Sequence, residues 1–350
     1  MTEKGINVLS LFDGMSCGQI ALERLGIKVN NYFASEIDKW AIQVAKDNYP
    51  DTIHLGDVRD IKAEDLPKID LLIGGSPCQG FSFAGKQLNF EDPRSKLFFE
   101  YVRLLEECEP KYFLLENVRM KKASLDVITA HTGVRPIKIN SALVSAQNRN
   151  RWYWTNIPGV EQPKDKGIRL RHIIENGAVD GRMTTKEDKA YCLTASTGGV
   201  SPVAKSSIVR KQRTMVLEAI NGKKVNIDLF KKPPYSFYET RTEAGKEMRR
   251  KIRKETGRDS TPRTKEFKMY VPKDDSKANC LVTMETPLDY VVDPSWTYRP
   301  LTTIEKERLQ TVPEGYTKSV SKTQAHKMLG NGWTIDVIAH ILRELPYCIV

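Results

Sequence analysis

The apolar positions of the chain follow two alternating periods. Ile6–Leu11 is a nearly unbroken apolar run, and Gly18–Leu25 then spaces its apolar residues as a helix does. Tyr32 to Ala34 and Thr52 to Leu55 predict short strands, with a helix over Asp38–Asn48 between them. The run Ile69-Asp70-Leu71-Leu72-Ile73 reads as a buried strand and stops at Gly74-Gly75-Ser76-Pro77. Leu97, Phe98, Tyr101, Leu104 and Leu105 give 95–107 helical spacing. Tyr112 to Leu115 predicts another strand and Val127 to Ala130 part of a helix. Arg135 to Ile139 and Arg151 to Thr155 predict two more strands. Such alternation implies βαβ units and a mainly parallel sheet.

The pattern changes after Pro158. Residues 159–298 are rich in Gly, Pro, Thr and Lys and predict short irregular strands. Helical character returns at Leu301, where Thr302 or Thr303 is placed to cap a helix with Glu305 close behind. The last predicted helix, 334–345, is apolar at Ile335, Val337, Ile338, Ile341 and Leu342 and is expected to pack back on the first domain. The chain therefore divides into 1–158, an insertion over 159–298, and a return over 299–350.

Charge sharpens this division. The net charge is +11. Residues 201–270 hold 19 Lys+Arg against 8 Asp+Glu, so all of the excess lies there. Aromatic residues Phe230, Tyr235, Phe237, Tyr238, Phe267 and Tyr270 are interleaved, which points to a folded surface for phosphates. Within it, Arg249, Arg250, Lys251, Arg253 and Lys254 form the densest cluster and are the expected DNA contacts. The six cysteines include no C-x-x-C pair, which argues against a zinc site and a secreted disulfide framework. No membrane span or signal peptide is evident, so a cytoplasmic, nucleoid-associated protein with no metal is expected.

Candidate chemistry gathers at predicted strand ends, where open α/β sheets bind ligands. Phe12-Asp13-Gly14 follows the first strand without the G-x-G-x-x-G pattern of a dinucleotide site. Gly14 and Gly18 are expected to let a ligand approach the backbone, and Asp13 to attract a cationic amino group. Glu36 stands where ribose hydroxyls are bound, and Asp57 where an adenine amino group could donate. Adenosine with an amino-acid tail and no phosphates points to S-adenosylmethionine. Cys78 sits in the rigid loop after the fourth strand, placed to attack rather than to fill a core. Glu116 and the segment Gln147-Asn148-Arg149-Asn150-Arg151 bring a carboxyl group and guanidinium donors to the same sheet edge.

These blocks, in this order, resemble the DNA cytosine-5 methyltransferase family along nearly the whole chain. Pro77-Cys78, Glu116-Asn117-Val118, Arg299-x-Leu301-Thr302-x-x-Glu305-x-x-Arg308-Leu309-Gln310 and Gly330-Asn331-Gly332-Trp333-Thr334 extend the match. Phe12-Asp13-Gly14 and the Trp333 block are similar to the vertebrate de novo subgroup; Gln79-Gly80-Phe81-Ser82 is more bacterial or phage-like. The resemblance implies an α/β, Rossmann-like S-adenosylmethionine-dependent methyltransferase fold. It has a mostly parallel sheet and an inserted, smaller, irregular β-rich recognition domain. It implies catalytic roles for Cys78, Glu116, Arg149 and Arg151. Phe12, Asp13, Gly14, Cys17, Gly18, Glu36, Ile37, Asp57, Val58, Pro77, Asn331 and Trp333 become the expected cofactor set, yielding S-adenosylhomocysteine. Gln79 and Ser82 join the expected DNA contacts. The family admits a companion restriction endonuclease, and a monomer is expected.

A tRNA cytosine-5 methyltransferase would share this catalytic fold, whereas a non-enzymatic DNA-binding regulator requires a broken catalytic set, and here Cys78, Glu116 and Arg151 are all present. An amino-methyltransferase needs an acid, Asn or Ser before Pro-Pro-aromatic. Lys232-Pro233-Pro234-Tyr235 offers a cation instead, which cannot accept an amino hydrogen.

Overall fold

The computed structural model describes residues 5–77, 93–176, 178–179, 185, 188–193, 215–219, 237–241, 243–256, 268–272 and 296–347. Cys78, Gln79, Ser82, Phe230, Lys232–Tyr235 and Phe267 lie outside the described residues. The chain divides into two compact units. One comprises Met1–Glu175, Gly181–Ser201 and Leu301–Val350; the other comprises Asn176–Asp180 and Pro202–Pro300.

The first unit is built on a seven-stranded sheet. Its strands are β1 (Ile6–Leu11), β2 (Val29–Ser35), β3 (Ile53–Gly56), β4 (Leu71–Gly74), β5 (Tyr112–Val118), β6 (Ile137–Asn140) and β7 (Asn150–Thr155). They lie in the order β3-β2-β1-β4-β5-β7-β6. The first five run parallel, and β7 is antiparallel to both β5 and β6. The helices α1 (Cys17–Arg24), α2 (Lys39–Asn48), α3 (Pro93–Cys108) and α4 (Lys122–Thr132) complete its amino-terminal part. Alternate residues feed two cores: Val8, Leu71 and Ile73 pack into one, Leu9, Leu11 and Leu72 into the other. A strand buried on both sides needs apolar side chains at every position, hence the continuous runs in β1 and β4. Neighbour order reverses about β1, which touches β2 on one side and β4 on the other. A ligand crevice opens at such a switch point, beyond the carboxyl ends of the strands.

The second unit carries β8 (Ala178–Val179), β9 (Met215–Ala219), β10 (Phe237–Arg241), α5 (Glu243–Thr256), β11 (Lys268–Pro272) and β12 (Trp296–Pro300). β12, β9 and β8 form one antiparallel sheet, and β10 and β11 form another. The helix α5 was not expected, since its sequence is dominated by charge. Met248 and Ile252, one turn apart, are half-buried and give it an anchored face. Arg250, Lys251, Arg253 and Lys254 are exposed, whereas Arg249 is half-buried.

The chain returns to the first unit through α6 (Thr303–Leu309), α7 (Lys322–Asn331) and α8 (Ile335–Leu342). Thr302 and Glu305 form a capping box at α6. Ile335, Val337, Ile338, Ile341 and Leu342 are fully buried, and α8 packs against α1. At about 1.5–3 kcal/mol per buried aliphatic side chain, this face is a large part of what closes the unit.

The first unit also takes in residues beyond 158. Leu170 and Ile173 are buried, Arg308 Nη1 donates to the Ile173 carbonyl at 2.9 Å, and Ala190 bridges Gln147. Lys189 is buried with its ammonium among the carbonyls of Ala142, Ser145 and Ile168. Polar anchors of this kind are invisible in a hydrophobic pattern.

Candidate active site

The loop from β1 into α1 is held in an unusual conformation. Phe12 (φ 56°), Gly14 (φ 60°) and Ser16 (φ 62°) all occupy the left-handed region. For non-glycine residues this costs on the order of 1–3 kcal/mol each and persists only when neighbours impose it. Asp13 supplies the constraint. Its carboxylate accepts from Ser10 Oγ (2.6 Å), Tyr32 Oη (2.8 Å) and Ser16 Oγ, and its N–H donates to Ser35 O (3.0 Å). Burial pushes its pKa up to about 6, with the three hydroxyls pulling the other way. Asp13 therefore faces inward as the hub of the loop, its carboxylate engaged by three hydroxyls.

Outside the hub the crevice is polar on one wall and apolar on the other. Glu36, just past β2, accepts from Gly14 N at 2.8 Å and from the Ile37 and Asp38 amides at 2.8 Å. Ile37 is 71% exposed, and no atom lies within 4 Å of where a side chain on Gly14 would begin. Asp57, just past β3, caps Arg59 N and is paired with the Arg59 guanidinium, which holds its pKa down at about 2. This donor set fits a nucleoside without phosphates: an anchored carboxylate for ribose hydroxyls, an open glycine and an exposed aliphatic face for a base.

The other members of the expected set differ in their surroundings. A Cβ on Gly18 would fall 2.6 Å from Tyr32 Oη and collide with Ile73. That glycine seats α1 on the sheet rather than admitting a ligand. Val58 is in the core, Cys17 is buried with its thiol pushed up to about 12, and Pro77 is half-buried. Asn331 is exposed at the end of α7.

The second cluster lies along β5. Strands β4 and β5 are neighbours, so Glu116 lies beside the segment leading toward Cys78. Its buried carboxylate is held from two sides: Arg151 Nε lies 2.9 Å from Oε1, and Trp333 Nε1 donates to Oε2 at 3.0 Å. A Cβ on Gly75 would come 3.0 Å from Glu116 Oε2 and 3.1 Å from Trp333 Nε1. The glycine thus admits the carboxylate and the indole against the backbone three residues before Cys78.

Arg149 and Arg151 part company. Arg149 is buried and donates to the carbonyls of Leu193 (3.0 Å), Gly330 (3.2 Å) and Gly332 (2.8 Å), with Cys192 Sγ at 3.5 Å. Burial lowers its pKa, and the nearby Arg151 charge adds to the effect. It is a clamp at the carboxyl end of α7, where carbonyl dipoles favour a cation. Gln147 belongs to the same internal network, donating to Leu309 O (3.3 Å) and Gln310 Oε1 (3.2 Å). Two contacts had no sequence signal: the Trp333 indole on Glu116, and Cys192 beside the arginines. Burial opposes the Cys192 thiolate, but the two guanidiniums outweigh it and its pKa is lowered.

The profile of C-5 cytosine-specific DNA methylases matches residues 6–129 and 140–346. The chain belongs to this methylase family. The orphan methyltransferase M.SPRI of Bacillus phage SPR is 45% identical over 116 residues, 33% of this chain and 26% of that protein. The type II methyltransferase M1.ScrFI of Lactococcus lactis subsp. cremoris is 40% identical over 157 residues, 42% of this chain and 40% of that protein. The matched stretches thus span well under two thirds of these curated relatives. Two solved structures share the methylase fold. A Spodoptera frugiperda DNMT2 mutant has TM-score 0.59 at 18% identity, covering 97% of this chain and 99% of that one. Entamoeba histolytica methyltransferase EhMeth has TM-score 0.60 at 15% identity, covering 98% of each. The fold is therefore the Rossmann-like methyltransferase fold, with its mostly parallel sheet. No helix among the described residues is long and apolar enough to cross a membrane.

Proposed function

We propose that this chain methylates C5 of cytosine in duplex DNA, using S-adenosylmethionine and a transient bond from Cys78 to C6. The observation that carries the reading is the Glu116 carboxylate, held by Arg151 and Trp333 against the backbone that leads to Cys78. Glu36 would hold the ribose hydroxyls of the cofactor, with Ile37, Gly14 and Phe12 beside its base and Asp57 at the adenine amino group. When bound, that cofactor supplies a methyl group activated on a sulfonium.

The chain's own residues do the rest. The Cys78 thiolate adds to C6, and the displaced electron pair moves toward N3. Glu116 gives N3 a proton and accepts from the 4-amino group, so negative charge does not build on the ring. Density then lies at C5, the methyl acceptor. Loss of the C5 proton to a base and departure of the thiolate restore the C5–C6 double bond, and N3 returns its proton to Glu116. A free thiol of pKa ~8.5 is only about 3% ionised at pH 7, a cost of roughly 2 kcal/mol that a nearby guanidinium can offset. Arg151 is the candidate for that charge; the clamp geometry of Arg149 leaves it supporting the site rather than touching the base. Reaching C5 requires flipping the cytosine from the stack, at a few kcal/mol. Phosphate contacts from the basic segment, including α5, are the proposed source of offsetting binding energy. Gln79 and Ser82, next to the nucleophile, are proposed DNA contacts.

Labelled S-adenosylmethionine offered with duplex DNA or with tRNA tests the reading. Label in cytosine C5 of DNA, abolished in Cys78→Ser, supports it. Label only in tRNA selects the rival substrate, and label in neither contradicts methyl transfer.

A further inference from the structure

We propose that Trp333 is a positioning residue that fixes Glu116 and ties it to the loop forming the cofactor crevice. This inference rests on the proposed role of Glu116, and its geometry stands without it. Trp333 is half-buried where the chain passes from α7 to α8. Its indole Nε1–H donates to Glu116 Oε2 at 3.0 Å. The residue before it, Gly332, packs against Met15 in the loop shaped by Asp13 and against Cys17 at the start of α1: a Cβ there would lie 3.3 Å from Met15 Cε and 3.4 Å from Cys17 Sγ. The turn that presents it is rigid. Arg149 grips Gly330 O and Gly332 O on either side of Asn331, and a Cβ on Gly332 would lie 3.0 Å from Met328 O and 3.4 Å from Cys17 Sγ. The turn thus meets both halves of the site, through the packed backbone of Gly332 on one side and the Trp333 side chain on the other.

The indole also takes the face of the carboxylate that Arg151 leaves. Arg151 holds Oε1 and Trp333 holds Oε2. With an ion pair at Oε1 and a hydrogen bond at Oε2, the carboxylate is restrained about its last torsion. A base edge offering an amino donor and a ring nitrogen needs a preset direction. An apolar ring in place of the indole would preserve the packing and lose the orientation.

Trp333→Phe separates the two. A lost hydrogen bond to a charged group predicts about a tenfold fall in kcat. KM for DNA and for S-adenosylmethionine should stay within about twofold, because the ring face remains. Trp333→His, which restores a ring N–H, should recover part of the loss. A fall expressed in the KM for S-adenosylmethionine with kcat unchanged would overturn the proposal and make Trp333 a cofactor contact only. A second readout needs no turnover. In 15N-tryptophan-labelled protein, the Nε1–H resonance missing in Trp333→Phe should be shifted downfield and should move upfield in Glu116→Gln. A resonance indifferent to Glu116→Gln refutes the positioning contact. If wild-type protein methylates nothing, the proposed function fails, while this resonance still decides the contact.

Discussion

Two carboxyl groups at the same end of one sheet have opposite surroundings. Asp13 meets three neutral hydroxyls and is sealed from solvent, so burial raises its pKa to about 6. Glu116 meets a guanidinium and an indole N–H, beside a backbone thinned to glycine. The arginines repeat the contrast two residues apart: Arg149 spends its donors on backbone carbonyls, and Arg151 pairs with Glu116. Position at a strand end brings a group to the ligand crevice. Its partners decide whether it builds the crevice or acts in it.

The contrast is sharpest under substitution. Glu116→Gln should lower kcat for cytosine methylation by 10²–10⁴-fold, the usual range for a lost proton donor, with the melting temperature nearly unchanged. A mutant that melts early but turns over normally would make Glu116 a structural group like Asp13. Arg149→Met should do the reverse in kind. It removes four charge-assisted hydrogen bonds to the carbonyls of Leu193, Gly330 and Gly332 and should lower the unfolding midpoint in urea clearly. Arg151→Met should leave that midpoint nearly intact and reduce turnover. Equal midpoints for the two mutants would erase the distinction between clamp and site.

Asp13 offers a test by pH. A carboxyl raised from 3.8 to about 6 in the fold binds more protons there than in the unfolded chain. Its contribution is present below about pH 4 and is lost as pH rises through 6. The stability difference between wild type and Asp13→Asn should therefore move in favour of wild type, by about 2 kcal/mol, as pH falls from 7.5 to 4.5. A constant difference would mean that the hub is not a buried titrating acid. The smallest effect is expected far from both carboxyls. Neutralising Arg250 and Lys254 on α5 should flatten the salt dependence of DNA binding by about 0.9 in slope per lost phosphate contact. An unchanged slope would turn that exposed face away from DNA.

Much of the fold was legible because a doubly buried sheet demands continuous apolar runs, and β1, β4 and β5 supply them. The acids at strand ends were legible for the same reason, since each run stops where the ligand crevice begins. What the pattern hid was partnership. Nothing in Phe12-Asp13-Gly14 says that Asp13 turns inward toward Ser10, Ser16 and Tyr32, because Tyr32 comes from another strand. Gly18 read as a ligand glycine, but its open side faces Ile73 and Tyr32. The anchoring of 188–193 combines a buried lysine among carbonyls with backbone pairing to 146–148, and α5 rests on two apolar residues among charges. The link from Trp333 to Glu116 spans 217 residues and has no local trace.

The central claim is a covalent bond from Cys78 to the target pyrimidine. A duplex carrying 5-fluorocytosine cannot lose a proton from C5, so turnover should stall with protein and DNA joined. The account predicts a denaturation-resistant adduct that forms only with S-adenosylmethionine present, maps to Cys78 by peptide mass spectrometry, and is absent in Cys78→Ser. Methylation of ordinary duplexes with no trapped adduct, or an adduct mapping to another residue, would contradict it.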